Sequence, residues 1–342
     1  MAFPVKNSCI MTIPMLLLVF LHCCISFTRA HPIGVCYGMR GNNLPAPADV
    51  IKLCKKTGFE RIRLFDPNHD ILQALRGSGL QVSLGVTNAD IPGLAGSQEK
   101  ANAWVATNVK AYPDVSFTYI SVGNEMIPSA TSRDVARAIQ NIHNAVVAAG
   151  RSTIKVTAAV ASTVLGVSYP PSQGAFSAAA VSDMTSIVSV LAKIGSPLMA
   201  NVYPYYAYAA QPGKFSKEYA LFTAQSSPVR DGNLNYWCLF DAIVDSFYSA
   251  MERVGGANVG IVVSESGWPS AGNGASTTPD LAKLYNNNLI KHVASKGTPK
   301  RPNSRLDTFV FAMFNENLKP AGIEQNWGLF YPNMQPVYSI VQ

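Results

Sequence analysis

Along most of this chain, short runs of consecutive apolar residues alternate with longer stretches whose apolar positions recur at helical spacing. Eight runs read as strands: IGVCYG (33–38), ERIRLF (60–65), QVSLGV (81–86), VSFTYISV (115–122), IKVTAAV (154–160), LMANVYP (198–204), VGIVVSE (259–265) and TFVFAMF (308–314). Such continuous apolarity over so few positions suits parallel strands covered on both faces. Residues 47–58 open with Pro and Asp and close with Gly, and residues 131–150 also end in Gly. Both therefore carry a helix start and stop signal. Residues 96–112, 181–195, 239–255 and 279–297 share the helical period. Eight strands interleaved with helices predict a closed (β/α)8 TIM barrel forming a single domain. The competing doubly wound open sheet lacks support: GVCYGMRG after the first strand is not G-x-G-x-x-G, and no P-loop occurs.

The first thirty residues break this pattern. Lys6 precedes an apolar run at 10–27, followed by Thr-Arg-Ala ending at Ala30. A basic start, an apolar stretch and a small-residue exit predict a secretory signal peptide over 1–30, with the catalytic domain at 31–342. The terminal position and the small-residue exit argue against the alternative, a membrane anchor. No second long apolar run follows, so no membrane span is expected in the mature chain. Removing the leader takes Lys6 and Arg29 with it, and the formal charge drops from +7 to +5. Three cysteines remain, Cys36, Cys54 and Cys238. They allow at most one bridge, and buried free thiols are the simpler reading. No N-x-[ST] acceptor is present.

Charge also narrows the partners. The basic residues are scattered and no nucleic-acid-binding module accompanies them, so nucleic acid is not expected. His31, His69, His143 and His292 lack metal-ligand spacing, and neither a metal nor a cofactor is expected. SESGW places Glu where a nucleophile elbow needs serine, which argues against a serine hydrolase.

In a barrel of this kind the chemistry sits at the carboxyl ends of the strands. Two glutamates stand there: Glu125 in YISVGNEM, at the end of the fourth strand, and Glu265 in IVVSESGWPS, at the end of the seventh. Breaking a glycosidic bond takes two carboxyl groups, one protonated and one ionised, on either side of the bond. Glu125 is read as the proton donor and acid/base, and Glu265 as the nucleophile of a retaining double displacement. That mechanism predicts carboxyl groups about 5–5.5 Å apart. Asn124 is expected to hold a sugar hydroxyl or orient Glu265, and Glu316, Lys319 and Glu324 to form an auxiliary cluster. Arg63 and Asp66 are expected to support the mouth. Tyr37, Tyr203, Tyr205, Tyr206, Phe314 and Trp327 are candidates to line a sugar groove, with Trp268 following Glu265 as a further binding candidate.

IGVCYGMRGNNLP, VGNE, NVYPYYAY, VVSESGWPSAG, FAMFNENLKP and NWGLF together resemble the plant β-1,3-glucan endohydrolases of glycoside hydrolase family 17. SESGWPSAG is the most specific of these motifs, and the resemblance covers nearly all of the mature chain. It implies retaining, internal cleavage of linear β-1,3-glucans, with the acid/base role on Glu125, the nucleophile role on Glu265 and an auxiliary role on Glu316, Lys319 and Glu324. A plant defence role against fungal walls, or callose turnover, is implied in the same way. The resemblance leaves two rivals standing: a β-1,3-1,4-glucanase of the same barrel, and a non-catalytic glucan-binding or storage protein. The absence of a carboxyl-terminal extension after PVYSIVQ favours the extracellular space over the vacuole, and a monomer is permitted.

Overall fold

The computed structural model describes residues 1, 2, 33–211 and 213–340. Apart from its first two residues, the expected leader lies outside the described residues. Eight parallel strands close into a barrel: β1 (Gly34–Tyr37), β2 (Arg61–Leu64), β3 (Gln81–Val86), β4 (Ser116–Asn124), β5 (Lys155–Ala161), β6 (Leu198–Asn201), β7 (Ile261–Ser266) and β8 (Thr308–Val310). Each strand pairs with its neighbours in sequence, and β1 closes the ring against β8. All eight predicted strands are present, and the fold is a (β/α)8 TIM barrel with helices packed around it.

The predicted helices form, four within two residues of their expected ends, while 131–150 starts only at Val135 and 96–112 is the α-helix Gln98–Val105 followed by a wider turn. Pro47–Lys56 buries Val50, Ile51 and Cys54 toward the barrel. Val181–Ile194 ends at Gly195, whose φ of 65° is the left-handed cap a glycine takes at least cost. Pro279–Ser295 is capped by the Thr278 hydroxyl, which accepts from the Leu281 amide at 3.2 Å. Sequence patterning did not signal helix Pro204–Ala210 after β6, whose short PYYAYAA stretch has no polar face. Nor did it signal two small hairpin sheets, Leu165–Val167 with Ala175–Phe176 and Val229–Asp231 with Leu234–Tyr236. A bidentate contact from Ser172 to Asp231 joins the loops carrying these hairpins, through the backbone N–H at 2.6 Å and the hydroxyl at 2.8 Å.

Strand β8 is shorter than its apolar run. After Val310 the backbone leaves regular pairing but stays held: the Phe311 N–H donates to Ser266 O and the Met313 N–H to Cys36 O, both at 2.8 Å. Cys36, Cys54 and Cys238 are all buried as free thiols, and burial pushes Cys36 and Cys54 up to about 12. No described helix is long and apolar enough to cross a membrane.

At the opposite, amino-terminal mouth, the Arg61 guanidinium meets Asp307 at 2.5 Å, the Tyr119 hydroxyl donates to Asp307 at 2.6 Å, and Arg61 Nε donates to Gln81 at 2.9 Å. These groups tie β2, β3 and β4 to the start of β8, so they serve closure of the ring rather than chemistry. Asp307→Ala strands a largely buried guanidinium and phenol. It is expected to lower unfolding free energy by roughly 2–3 kcal/mol in urea titration, with hydrolytic kcat within twofold of the parent.

Candidate active site

A cleft of about 1110 Å³ lies over the carboxyl ends of the barrel strands. Every strand contributes to its lining, among them Arg40 after β1, Phe65 and Asp66 after β2, Asn88 after β3 and Phe311 after β8. Glu125 and Glu265 both line it.

Their placement depends on local breaks in the sheet. Between β4 and β5 the register runs Ser121 opposite Thr157, then Asn124 opposite Ala159, so β4 carries one extra residue. Between β7 and β6 it runs Val263 opposite Ala200, then Glu265 opposite Asn201, so β7 carries one as well. Such bulges bend the strand and re-aim the side chains that follow. In β4 the bulge allows consecutive residues, Asn124 and Glu125, to face the same cleft, where strict alternation would send one outward. Gly123 takes φ 78°, and Glu125 itself takes φ 55°. A left-handed glutamate costs about 1–2 kcal/mol. Its backbone N–H, bonded to Ala159 O at 2.9 Å, holds it there. The Asn88 side chain clamps the backbone of the preceding residue at both ends, accepting from the Asn124 N–H at 2.8 Å and donating to Asn124 O at 3.0 Å.

The two carboxyls differ in environment. Glu265 is buried, and both its oxygens accept: Oε1 from Arg63 Nη1 at 2.5 Å and Oε2 from the Tyr203 hydroxyl at 2.7 Å. The plane of this carboxylate is thereby fixed. Burial, reinforced by the Glu265 charge, pushes the Tyr203 phenol well above its usual range, so it remains a donor. Glu125 opens to the cleft and accepts at Oε1 from Asn201 Nδ2 at 2.8 Å. Its pKa is raised, first by desolvation between the cleft walls and then by the Glu265 charge, with a smaller rise from Glu324; Asn201 and Arg63 oppose the shift. A carboxyl whose surroundings raise its pKa, facing a carboxylate held at both oxygens, is what an acid/base and nucleophile pair requires.

One network links the pair. Arg63 Nη2 donates to Asn124 Oδ1 at 2.8 Å, and Asn201 Nδ2 donates to the same oxygen at 3.2 Å. With Oδ1 occupied twice, the Asn124 amide is left to donate through Nδ2. Sequence analysis assigned Arg63 to the mouth, and its position under both Glu265 and Asn124 agrees with that. Asn201 and Asn88 were missed. Asn201 is a lone polar residue closing the apolar run LMAN, which is the signal that marked the other strand ends.

The remaining candidates divide. Asn124, Tyr203, Tyr206, Glu316, Lys319, Glu324 and Trp327 line the cleft. Lys319 Nζ pairs with Glu316 at 2.8 Å and stands 4.3 Å over the Phe311 ring, while the Tyr206 hydroxyl donates to Glu324 at 3.0 Å. Gly38 makes room for this group: a Cβ there would lie 2.5 Å from Glu316 Oε1. Tyr37 and Trp268 do not reach the cleft, which corrects their assignment as binding residues. Trp268 is fully buried against Tyr205 and Tyr285, with its indole N–H spent on Ser276 O at 2.9 Å. Tyr37 packs edge-on against Phe314 in the core. Tyr205 and Phe314 are likewise core aromatics. Away from the cleft, Cys238, Asp241 and His292 bring one ligand-type atom each within 4.8 Å, with His292 Nε2 bonded to Asp241 at 2.8 Å.

Comparison with known proteins agrees with this geometry. The chain is 51% identical over 308 residues to Lichenase-2 of Hordeum vulgare, covering 90% of this chain and 97% of that protein. It is 49% identical over 315 residues to a glucan endo-1,3-beta-glucosidase, basic isoform 1, of Solanum tuberosum, covering 90% and 92%. Among solved structures, one from a study of two plant beta-glucan endohydrolases with distinct substrate specificities superposes with a TM-score of 0.88 at 50% identity, covering 90% of this chain and 99% of that one. A beta-1,3-glucanase and allergen of Cryptomeria japonica pollen gives 0.87 at 46%, covering 90% and 98%. The family model of glycosyl hydrolases family 17 matches residues 33–341, and the chain belongs to that family.

Proposed function

We propose that this protein hydrolyses internal β-1,3-glucosidic bonds of β-1,3-glucans by a retaining double displacement. Glu265 is the nucleophile and Glu125 the acid and base. The supporting observation is the asymmetry of the pair: a carboxylate fixed at both oxygens faces the same cleft as a carboxyl whose pKa its surroundings raise. Glu125 protonates the departing glycosidic oxygen while Glu265 attacks the anomeric carbon, giving a glycosyl ester; Glu125 then deprotonates the water that releases it. On the cleft wall the exposed Tyr206 ring offers a face on which a pyranose ring can stack, with Tyr203, Phe311 and Trp327 packed around it. Asn124, Lys319, Glu316 and Glu324 bring polar groups to hydroxyls along the cleft.

The linkage assignment rests on relatives named as glucan endo-1,3-beta-glucosidases. A second reading, cleavage of mixed-linkage β-glucan, is favoured by the 51% identity to a lichenase. Reducing-end release separates the two. On the first reading, kcat/KM for laminarin exceeds that for barley β-glucan by at least about tenfold; the reverse ratio establishes the second. The first-formed reducing end, followed by proton NMR, is expected to be the β-anomer, and an initial α-anomer rules out retention. The basic start, apolar run and Ala30 exit of the leader support export through the secretory route, and hence action on extracellular glucan such as fungal wall or callose.

A further inference from the structure

We propose that Ser264 is a positioning residue that sets both carboxyl groups at once, its carbonyl fixing the support of Glu265 and its hydroxyl fixing the support of Glu125. Ser264 is fully buried, lies inside the β7 bulge and does not line the cleft. Its carbonyl accepts from Arg63 Nη1 at 3.1 Å, and the same nitrogen donates to Glu265. Cys36 Sγ donates to that carbonyl at 3.3 Å from β1. On the other arm, the Ser264 hydroxyl donates to Asn201 Oδ1 at 2.6 Å. An amide side chain presents oxygen on one side and NH₂ on the other, so a donor on Oδ1 dictates which way Nδ2 points. In Asn201, Nδ2 points at Glu125 Oε1 (2.8 Å) and Asn124 Oδ1 (3.2 Å). Without the hydroxyl, the Asn201 oxygen loses the donor that holds it, and the NH₂ is no longer braced from behind against Glu125.

That loosening has a chemical sign. An N–H facing Glu125 stabilises the carboxylate, so a less firmly held N–H shifts the balance toward the protonated acid. The other groups acting on Glu125 stay in place: Glu265 from β7, Arg63 from β2, Glu324 from the loop beyond β8 and Tyr206 from helix Pro204–Ala210. The Ser264 hydroxyl is thus a device that keeps Glu125 able to give up its proton and then serve as base.

The inference rests on Glu125 being the acid/base, and the experiment is arranged to separate the two. In Ser264→Ala, which removes one buried oxygen, kcat on laminarin is expected to fall about tenfold with KM within twofold. The alkaline limb of kcat/KM against pH moves upward. Asn201→Ala removes the same donor from Glu125 and moves the limb in the same direction. Adding Ser264→Ala to Asn201→Ala then moves it no further, because the hydroxyl acts through the amide. Thermal melting of each variant reports on folding, and loss of stability alone does not displace a pH limb. A limb abolished by Glu125→Gln but unmoved by Ser264→Ala overturns the relay alone, as do fully additive shifts in the double variant. A limb that persists in Glu125→Gln overturns the assignment of Glu125 itself.

Discussion

Glu265→Ala lowers kcat on laminarin by on the order of 10⁴-fold or more, about 5.5 kcal/mol of transition-state stabilisation. Two contributions vanish together. No oxygen remains to bond the anomeric carbon, and no negative charge faces the oxocarbenium-like centre. Arg63 and the Tyr203 hydroxyl, 2.5 and 2.7 Å from the lost oxygens, are left without their partner. Glu265→Gln keeps the volume and separates these effects, since it retains an acceptor for one of the two donors but supplies no nucleophile. Azide gives the positive control. In the cavity left by Glu265→Ala, a small anion reaches the anomeric carbon from the nucleophile's side, and with an activated aryl β-glucoside it yields the α-glycosyl azide. Near-parental turnover in Glu265→Ala, or a β-azide from it, removes Glu265 from the nucleophile role. Affinity of the inactive variant for laminari-oligosaccharides by calorimetry stays within about threefold, as the exposed Tyr206 ring and the rest of the cleft lining are untouched.

How much of this was legible in the sequence follows from what each residue type reports. The eight strands were readable because parallel strands covered on both faces are nearly pure in apolar residues, and few other elements are. Glu125 and Glu265 stood out for the same reason: each is an acid placed directly after such a run. The extra residues in β4 and β7 were not readable. A bulge changes where a side chain points without changing composition, and Gly123 is its only trace in the letters. Trp268 shows the cost of that gap. Three positions past Glu265 it reads as a binding candidate, but the chain turns after the bulge and delivers the indole to the helix layer, against Tyr205 and Tyr285. Asn201 and Ser264 did not stand out for a different reason. Their importance lies in pairing across strands, at 63 residues' separation, and a single polar letter at a strand end does not say what it meets.

Glu125→Gln is expected to act on a different step, and its signature depends on the leaving group. Glucan departs as a poor alkoxide that needs a proton, so kcat on laminarin falls by roughly 10³–10⁴-fold. An aryl β-glucoside whose phenolate leaves unaided loses far less in the first step, and its glycosyl ester then accumulates because no base activates water. A burst of phenolate followed by a slow steady state is the expected trace, and azide accelerates that steady state with a β-glycosyl azide as product. The pH profile carries the same information. Wild-type kcat/KM declines as pH rises through the pKa of Glu125, because the ionised form cannot protonate the leaving oxygen. Desolvation and the neighbouring Glu265 charge raise that pKa, which places the decline above the ordinary carboxylate range. Removing the charge in Glu265→Gln lowers the Glu125 pKa toward, but not to, its usual value, since the desolvation by the cleft walls persists. Carbon-13 NMR of labelled glutamate carboxyls in wild type and Glu265→Gln reads this directly. Unchanged titration of Glu125 on removal of Glu265 means that the two groups do not sense each other across the cleft. A one-site double displacement, in which the acid must become a base as its neighbour is esterified, is then excluded.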